Sequence, residues 1–292
     1  MSDNLVAKNM NLLKLQRYQQ HNDGRKIHLG LPTWHSALLC GTLYDHRCPI
    51  EEFLFQYAGQ FDAVELQSTF TDLPYESDME ALREVVAGVN ENFRFCPVIP
   101  RRVSHEFPLG DNYHDMREFL AAVGKLGPHL GPIVLKLPET FQPENWPAIL
   151  RFARRCPKDK RFVVQLTHAE WFKKTECLIP LAASLQDTPM NILIEDDLTR
   201  ELPLDKLIGG DHLMIRFRAR QSLNQDDQRL AMWVYKLGEF KGYGIKNSYF
   251  FLYEQEEMCL DILRRMASSM GGDVRVPEQF DENADQMGFS FK

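Results

Sequence analysis

From Lys26 onward the chain alternates short apolar runs with longer stretches in which apolar residues recur at helical spacing. The short runs, at 26–31, 63–67, 93–99, 133–137, 162–166, 191–195, 212–217 and 247–252, are rich in Val, Ile, Leu and Phe. Nearly continuous apolar character is what strands buried on both faces require. The longer stretches, at 50–60, 77–89, 116–126, 145–155, 176–185 and 227–240, predict helices, and 256–269 predicts a closing one. Strand and helix in alternation, about eight times over, is the rhythm of a closed (β/α)8 barrel of the TIM type rather than of an open doubly wound sheet. Only the connection 196–210 lacks a clear helical pattern.

The ends of the chain stand outside this rhythm. Residues 1–24 are polar, with Met10, Leu12, Leu13 and Leu15 spaced for a short helix and Asn22-Asp23-Gly24 as its stop. Residues 271–292 form a polar, acidic tail that carries Phe289 and Phe291. One barrel over 25–270 between these extensions is the expected domain organisation, since such barrels commonly use about 250 residues.

Composition narrows the partners. The chain has 44% hydrophobic and 26% charged residues, enough apolar material for a large core. A formal net charge of -7 disfavours non-specific binding to long nucleic acid, an affinity built on Lys and Arg. No apolar stretch has the length of a signal-peptide core or a spanning helix, so a cytoplasmic protein with no membrane association is expected. The cysteines Cys40, Cys48, Cys96, Cys156, Cys177 and Cys259 show no CxxC spacing and read as reduced thiols.

Polar residues inside the apolar runs are the informative exceptions, because a charge in a strand buried on both faces needs a partner. They are His28, Glu65 with Gln67, Lys136, Gln165 leading to His168, Glu195 with Asp196, and Arg216 with Arg218 and Arg220. Most fall late in their strands, the end at which barrels of this type bind ligands. The alternation of Arg216, Arg218 and Arg220 sends these side chains from one face, and Arg101 and Arg102 follow the third strand. Guanidinium groups suit carboxylate or phosphate. A buried salt-bridge layer closing the barrel, with Glu65 paired to Lys136 or Arg216, accounts for the same residues without any ligand. Glu65, His105, His168 and Asp196 also offer metal-ligating groups, but dispersed over several strands, so a divalent metal is not favoured. His35, Cys40, His46 and Cys48 match no common zinc spacing.

Ordered motifs carry a resemblance. Gly30 and Trp34, VELQSTFTDLP at 64–74, FRFCPVIPRRVSH at 93–105, LGPHLGPIVLKLPETF at 126–141, HAEWF at 168–172, IEDD at 194–197, IRF at 215–217 and YFF at 249–251 together resemble the YecE-like family, domain of unknown function 72. The resemblance implies a TIM barrel with a shared pocket at the C-terminal ends of its strands. It also implies departures in this chain. The lysine usual in strand three is Val98, and the glutamine usual in strand four is Lys136, a compensating swap of a cation between neighbours. Strand five reads Gln165-Leu166-Thr167-His168-Ala169 where Glu-Phe-Arg-His-Pro is usual. Ala219-Arg220 and Tyr253-Glu254 replace a usual Gly-Asn and an Asn or His-Gln.

The expected function is an enzyme-like barrel, hydrolase-like or acting on a phosphate ligand, with a pocket for a small anionic or phosphorylated molecule. His168 and Asp196 are the acid/base candidates, and Glu65 would orient a cation or polarise a water. Lys136, Arg216, Arg218, Arg101 and His105 would hold the anion, with Trp34, Gln67, Gln165 and Tyr253 completing the ligand-facing set. A non-catalytic ligand-binding or scaffold protein with a degenerate site is the alternative, and a metal-dependent nucleic-acid-processing barrel a third reading.

Overall fold

A computed structural model of the chain describes residues 26–36, 39–106, 109–173, 175–197, 203–219 and 223–253, together with Ile262, Arg264 and Met266. The expected N-terminal helix, the C-terminal tail and most of the closing helix lie outside the described residues.

Among the described residues nine strands run in one direction: β1 Lys26–Leu31, β2 Ala63–Leu66, β3 Arg94–Pro97, β4 Ile133–Lys136, β5 Phe162–Gln165, β6 Met190–Ile192, β7 Ile194–Asp196, β8 His212–Arg218 and β9 Asn247–Tyr253. Two parallel sheets, β3-β2-β1-β9-β8-β7 and β4-β5-β6, hold them. Both gaps between the sheets are bridged. Phe95 pairs with Leu130 and Val98 with Val134, and Ile99 N–H donates to the Val134 carbonyl (2.8 Å), which joins β3 to β4. β6 and β7 are two parts of one extended segment interrupted at Leu193, whose N–H still bonds the Val164 carbonyl (2.9 Å). The arrangement is the (β/α)8 barrel expected from the strand rhythm.

Burial on both faces explains the apolar runs. Leu29, Leu31, Val64, Leu66, Ile133, Leu135, Leu213, Ile215 and Phe217 face outward into the larger core beneath the helices. Ala63, Cys96, Val98, Val134, Val163, Leu193, Met214, Tyr249 and Phe251 fill the interior of the barrel. Alternation along each strand separates the two cores. Gly30 belongs to the inner face. A Cβ there would lie 2.1 Å from the Ala63 carbonyl oxygen and 2.9 Å from the Phe251 ring. Because the obstacle is backbone of the paired strand, Gly30→Ala is expected to cost toward the upper end of the roughly 1–3 kcal/mol typical of overpacking. Urea unfolding checks this, and a midpoint unchanged from the parent would refute it.

The outer helices follow the sequence closely. Phe53–Gln60, Glu76–Ala87, Tyr113–Gly124, Trp146–Arg155, Thr175–Leu185 and Leu223–Glu239 lie within a few residues of the periodic stretches. The start at Tyr113 is set by Asn112, whose side chain accepts from the Asp115 N–H as an N-cap. The connection without a helical pattern contains one short helix, Leu204–Leu207. Two further short helices, Ser68–Thr71 and Arg101–Ser104, cap the C-terminal ends of β2 and β3. Neither is long enough to show periodicity. Ile262 and Met266 are buried in the outer core. No helix among the described residues is long and apolar enough to cross a membrane.

Candidate functional site at the barrel mouth

A polar layer lies just beyond the apolar plug, at the C-terminal ends of the strands. Lys136 on β4 is in register with Gln165 on β5, and Glu195 on β7 with Arg216 on β8. Gln165 Nε2 donates to Glu195 Oε1 at 2.9 Å, and Arg216 Nη1 stands 3.6 Å from the same oxygen. Arg216 then reaches across the barrel to Glu65 on β2 with two hydrogen bonds, Nε to Oε1 at 2.9 Å and Nη2 to Oε2 at 2.6 Å. Glu65 also accepts from the Tyr253 hydroxyl at Oε1 (2.9 Å) and from Gln67 Nε2 at Oε2 (2.8 Å). Its acceptor capacity, about four lone-pair sites, is thereby filled.

Glu65 is 1% exposed and Arg216 4% exposed, so this is a buried ion pair whose geometry has to offset its desolvation. Burial alone disfavours the charge on Arg216. The Glu65 carboxylate overrides it and holds the guanidinium pKa above its ordinary value. Burial, and next the same carboxylate, push the Tyr253 phenol well above its usual range, keeping it a hydrogen-bond donor. The Tyr253 ring lies 5.3 Å from both the Arg216 and Arg218 guanidinium carbons.

Toward solvent the layer becomes cationic. Lys136 rests its ammonium over the Phe70 ring at 5.0 Å, and the His105 ring meets Phe70 edge-on at 5.1 Å. His105 Nδ1 lies 2.9 Å from the Ser104 hydroxyl. Burial, then Arg101 and Lys136, lower the His105 pKa, which favours the neutral ring at neutral pH. Among the described residues Lys136, Arg101 and Arg218 have no ion pair to a carboxylate, whereas Arg216 is paired twice.

Three expected site residues are engaged elsewhere. Asp196 follows Glu195 and so points to the opposite face, where it pairs with Arg229 (2.9 Å) and accepts from Trp233 Nε1 (2.6 Å) on the helix Leu223–Glu239. Its carboxylate fastens that helix to β7. His168 caps the short helix Ala169–Phe172: Nδ1 accepts from the Glu170 N–H (3.1 Å), and Nε2 lies 3.1 Å from the Gln142 side-chain amide nitrogen. Trp34 packs in the outer core with its ring edge-on to Phe95, and its carbonyl accepts from the Tyr44 hydroxyl (2.8 Å). Phe70 and Ser104 join the mouth unanticipated, because both lie on the two short helices that carry no periodic signal.

Possible metal ligands converge at one place among the described residues, His114, Asp115 and Glu118 on the helix Tyr113–Gly124, away from the mouth. His35, Cys40, His46 and Cys48 form no such group. Cys40, Cys48, Cys96, Cys156 and Cys177 are free thiols.

Comparison with known proteins places the architecture. The family described as "Protein of unknown function DUF72" matches residues 28–285. The chain is 25% identical over 279 residues to UPF0759 protein YecE of Escherichia coli K12, covering 87% of this chain and 98% of the relative. Two crystal structures of a DUF72 family protein from Enterococcus faecalis V583 are similar in fold. One, at 17% identity, superposes with a TM-score of 0.64 over 87% of this chain and all (100%) of the other. The second gives 0.59 at 16% identity, over 85% and 98% of the two chains. With one family spanning nearly the whole barrel and a relative matched along almost its full length, this chain belongs to the DUF72 family.

Proposed function

We propose that the chain binds a small phosphate- or carboxylate-bearing ligand at the C-terminal mouth of its barrel. One observation carries the reading: Lys136, Arg101 and Arg218 lie at this end without carboxylate partners among the described residues, beside a neutral His105. Cations that a fold leaves unpaired at its usual ligand-binding end are suited to an anion, which gains charge-assisted hydrogen bonds from them. The Glu65–Arg216 pair serves as the floor. Bonded on every side, Glu65 holds Arg216, Tyr253 and Gln67 in place rather than accepting a proton from a substrate. Proton transfer, where the ligand requires one, falls to His105, the group whose lowered pKa leaves it a base at neutral pH.

Calorimetric titration with inorganic phosphate tests the reading. Saturable binding is expected, weakened about tenfold by Lys136→Met, the loss of one charge-assisted hydrogen bond. Unchanged affinity in that variant, or no binding to the parent protein, would refute it.

A further inference from the structure

A second polar site lies at the N-terminal ends of the strands, on the opposite face of the barrel from the mouth. Residues before β5, β6 and β8, with Asn191 on β6 and His212 on β8, line a cavity of about 410 Å³, a size within the range of small-ligand sites. Its wall is a connected network. Arg161 donates to both oxygens of Asp211, Nε at 2.7 Å and Nη2 at 2.6 Å, and Asp211 Oδ1 lies 3.2 Å from His212 Nδ1. Asn191 Nδ2 donates to the His212 carbonyl at 2.7 Å and lies 3.2 Å from His212 Nδ1. Networks at this end of a barrel ordinarily serve stability. One atom of this one is left over. Asn191 is 7% exposed, and among the described residues its Oδ1 accepts from nothing. Donation from Nδ2 to a carbonyl forbids turning the amide over. Whereas Gln165 Oε1 is sealed, Asn191 Oδ1 keeps an opening onto the cavity that the residue lines. Gly210, at φ +70°, leaves it uncovered: a Cβ there would stand 3.1 Å from Oδ1.

We propose that this cavity binds a small zwitterion of the α-amino acid class, its ammonium donating to Asn191 Oδ1 and its carboxylate held by Lys158. The site is separate from the anion site at the mouth and does not depend on it. Charge selects the class. Arg161 and Asp211 neutralise each other, which leaves Lys158 and Asp187, one of each sign, in the lining without an ion pair among the described residues. A ligand with a single charge would leave the group of its own sign facing it. Position agrees with charge. Asp187 precedes β6, the strand of Asn191, and Lys158 precedes β5. The ammonium therefore meets a carboxylate and a neutral acceptor on one side, and the ligand carboxylate meets the lysine on the other. An ammonium has three hydrogens to give, enough for Asn191 and Asp187 together.

Ligand-detected NMR titration of the full chain with L-alanine, N-acetyl-L-alanine and L-alaninamide tests the proposal. These probes carry both charges, the carboxylate alone and the ammonium alone, and the alanine side chain is small enough for any cavity of this size. L-alanine is expected to bind about tenfold more tightly than either analogue, the loss of one charge-assisted hydrogen bond. Lys158 and Asp187 are exposed, so their variants test the site without disturbing the fold. Lys158→Met should lower the affinity for L-alanine to that for L-alaninamide and leave the latter within about twofold. Asp187→Asn should weaken L-alanine and L-alaninamide and spare N-acetyl-L-alanine. Asn191→Leu should abolish binding of L-alanine and L-alaninamide, and where it fails to fold the two surface variants decide. No binding of L-alanine, equal affinity for the three probes, or an L-alanine affinity unmoved by Lys158→Met would overturn the proposal. Equal binding of L-alanine and N-acetyl-L-alanine, unmoved by that variant, would assign the carboxylate to the mouth and leave the anion reading standing.

Discussion

Replacing Arg216 with methionine is expected to cost about 3–5 kcal/mol of folding stability, because it leaves the Glu65 carboxylate buried without its counter-ion. Glu65 and Arg216 are joined by two hydrogen bonds of 2.9 and 2.6 Å in a layer closed below by the apolar plug. Tyr253 and Gln67 still donate to the stranded carboxylate, but neither supplies a charge. A second variant separates the loss of the pair from the stranding of the acid. In Glu65→Gln with Arg216→Met no uncompensated charge remains, and most of the stability should return, since removal of both members of a buried pair is often close to neutral. Urea unfolding of the two variants and the parent gives the comparison. A double variant no more stable than Arg216→Met would mean that packing of the long side chain, and not the charge it neutralises, holds the layer together.

The second large effect lies at the opposite end of the barrel and appears with pH. His28 on β1 is 1% exposed, stacked on the Tyr249 ring at 4.6 Å. Burial, reinforced by the nearby charge of Arg94, lowers its pKa from 6.5 to about 4. The sign follows directly. Between those values the unfolded chain binds a proton that the folded chain refuses, so stability rises with pH through this window, is complete above pH 6.5 and is lost as pH falls toward 4. A difference of that size corresponds to about 3 kcal/mol. His28→Phe keeps an aromatic ring on Tyr249 and removes the titration. Unfolding midpoints at pH 4, 5, 6 and 7 should fall less steeply for the variant than for the parent. Parallel curves over this range would show that other groups govern the acid sensitivity.

Individual residues show how far the sequence reached. Strands such as Ile133–Lys136 were legible because burial on both faces demands unbroken apolar character, and the same rule made Glu65, Lys136, Gln165 and Arg216 conspicuous. Their partners were not legible in full. Glu65 could have met Lys136 or Arg216, and the choice fell to Arg216, 151 residues away, because strand register brings the guanidinium across the barrel at that level. Asp196 shows a different limit. Adjacent residues on a strand face opposite ways, so Glu195 and Asp196 could not both enter the interior, and pairing with β8 placed Glu195 beside Arg216 and sent Asp196 to Arg229 and Trp233.

The chain by itself determined the barrel and the end at which its polar groups gather, since hydrophobic periodicity reflects burial that every strand and helix meets locally. Tertiary structure alone decided which of those groups neutralise one another and which stay available. Ion pairing and unmatched hydrogen-bonding capacity depend on contacts between distant strands, and among the described residues these left Glu65 saturated, Lys136 without a carboxylate and Gln165 Oε1 without a donor.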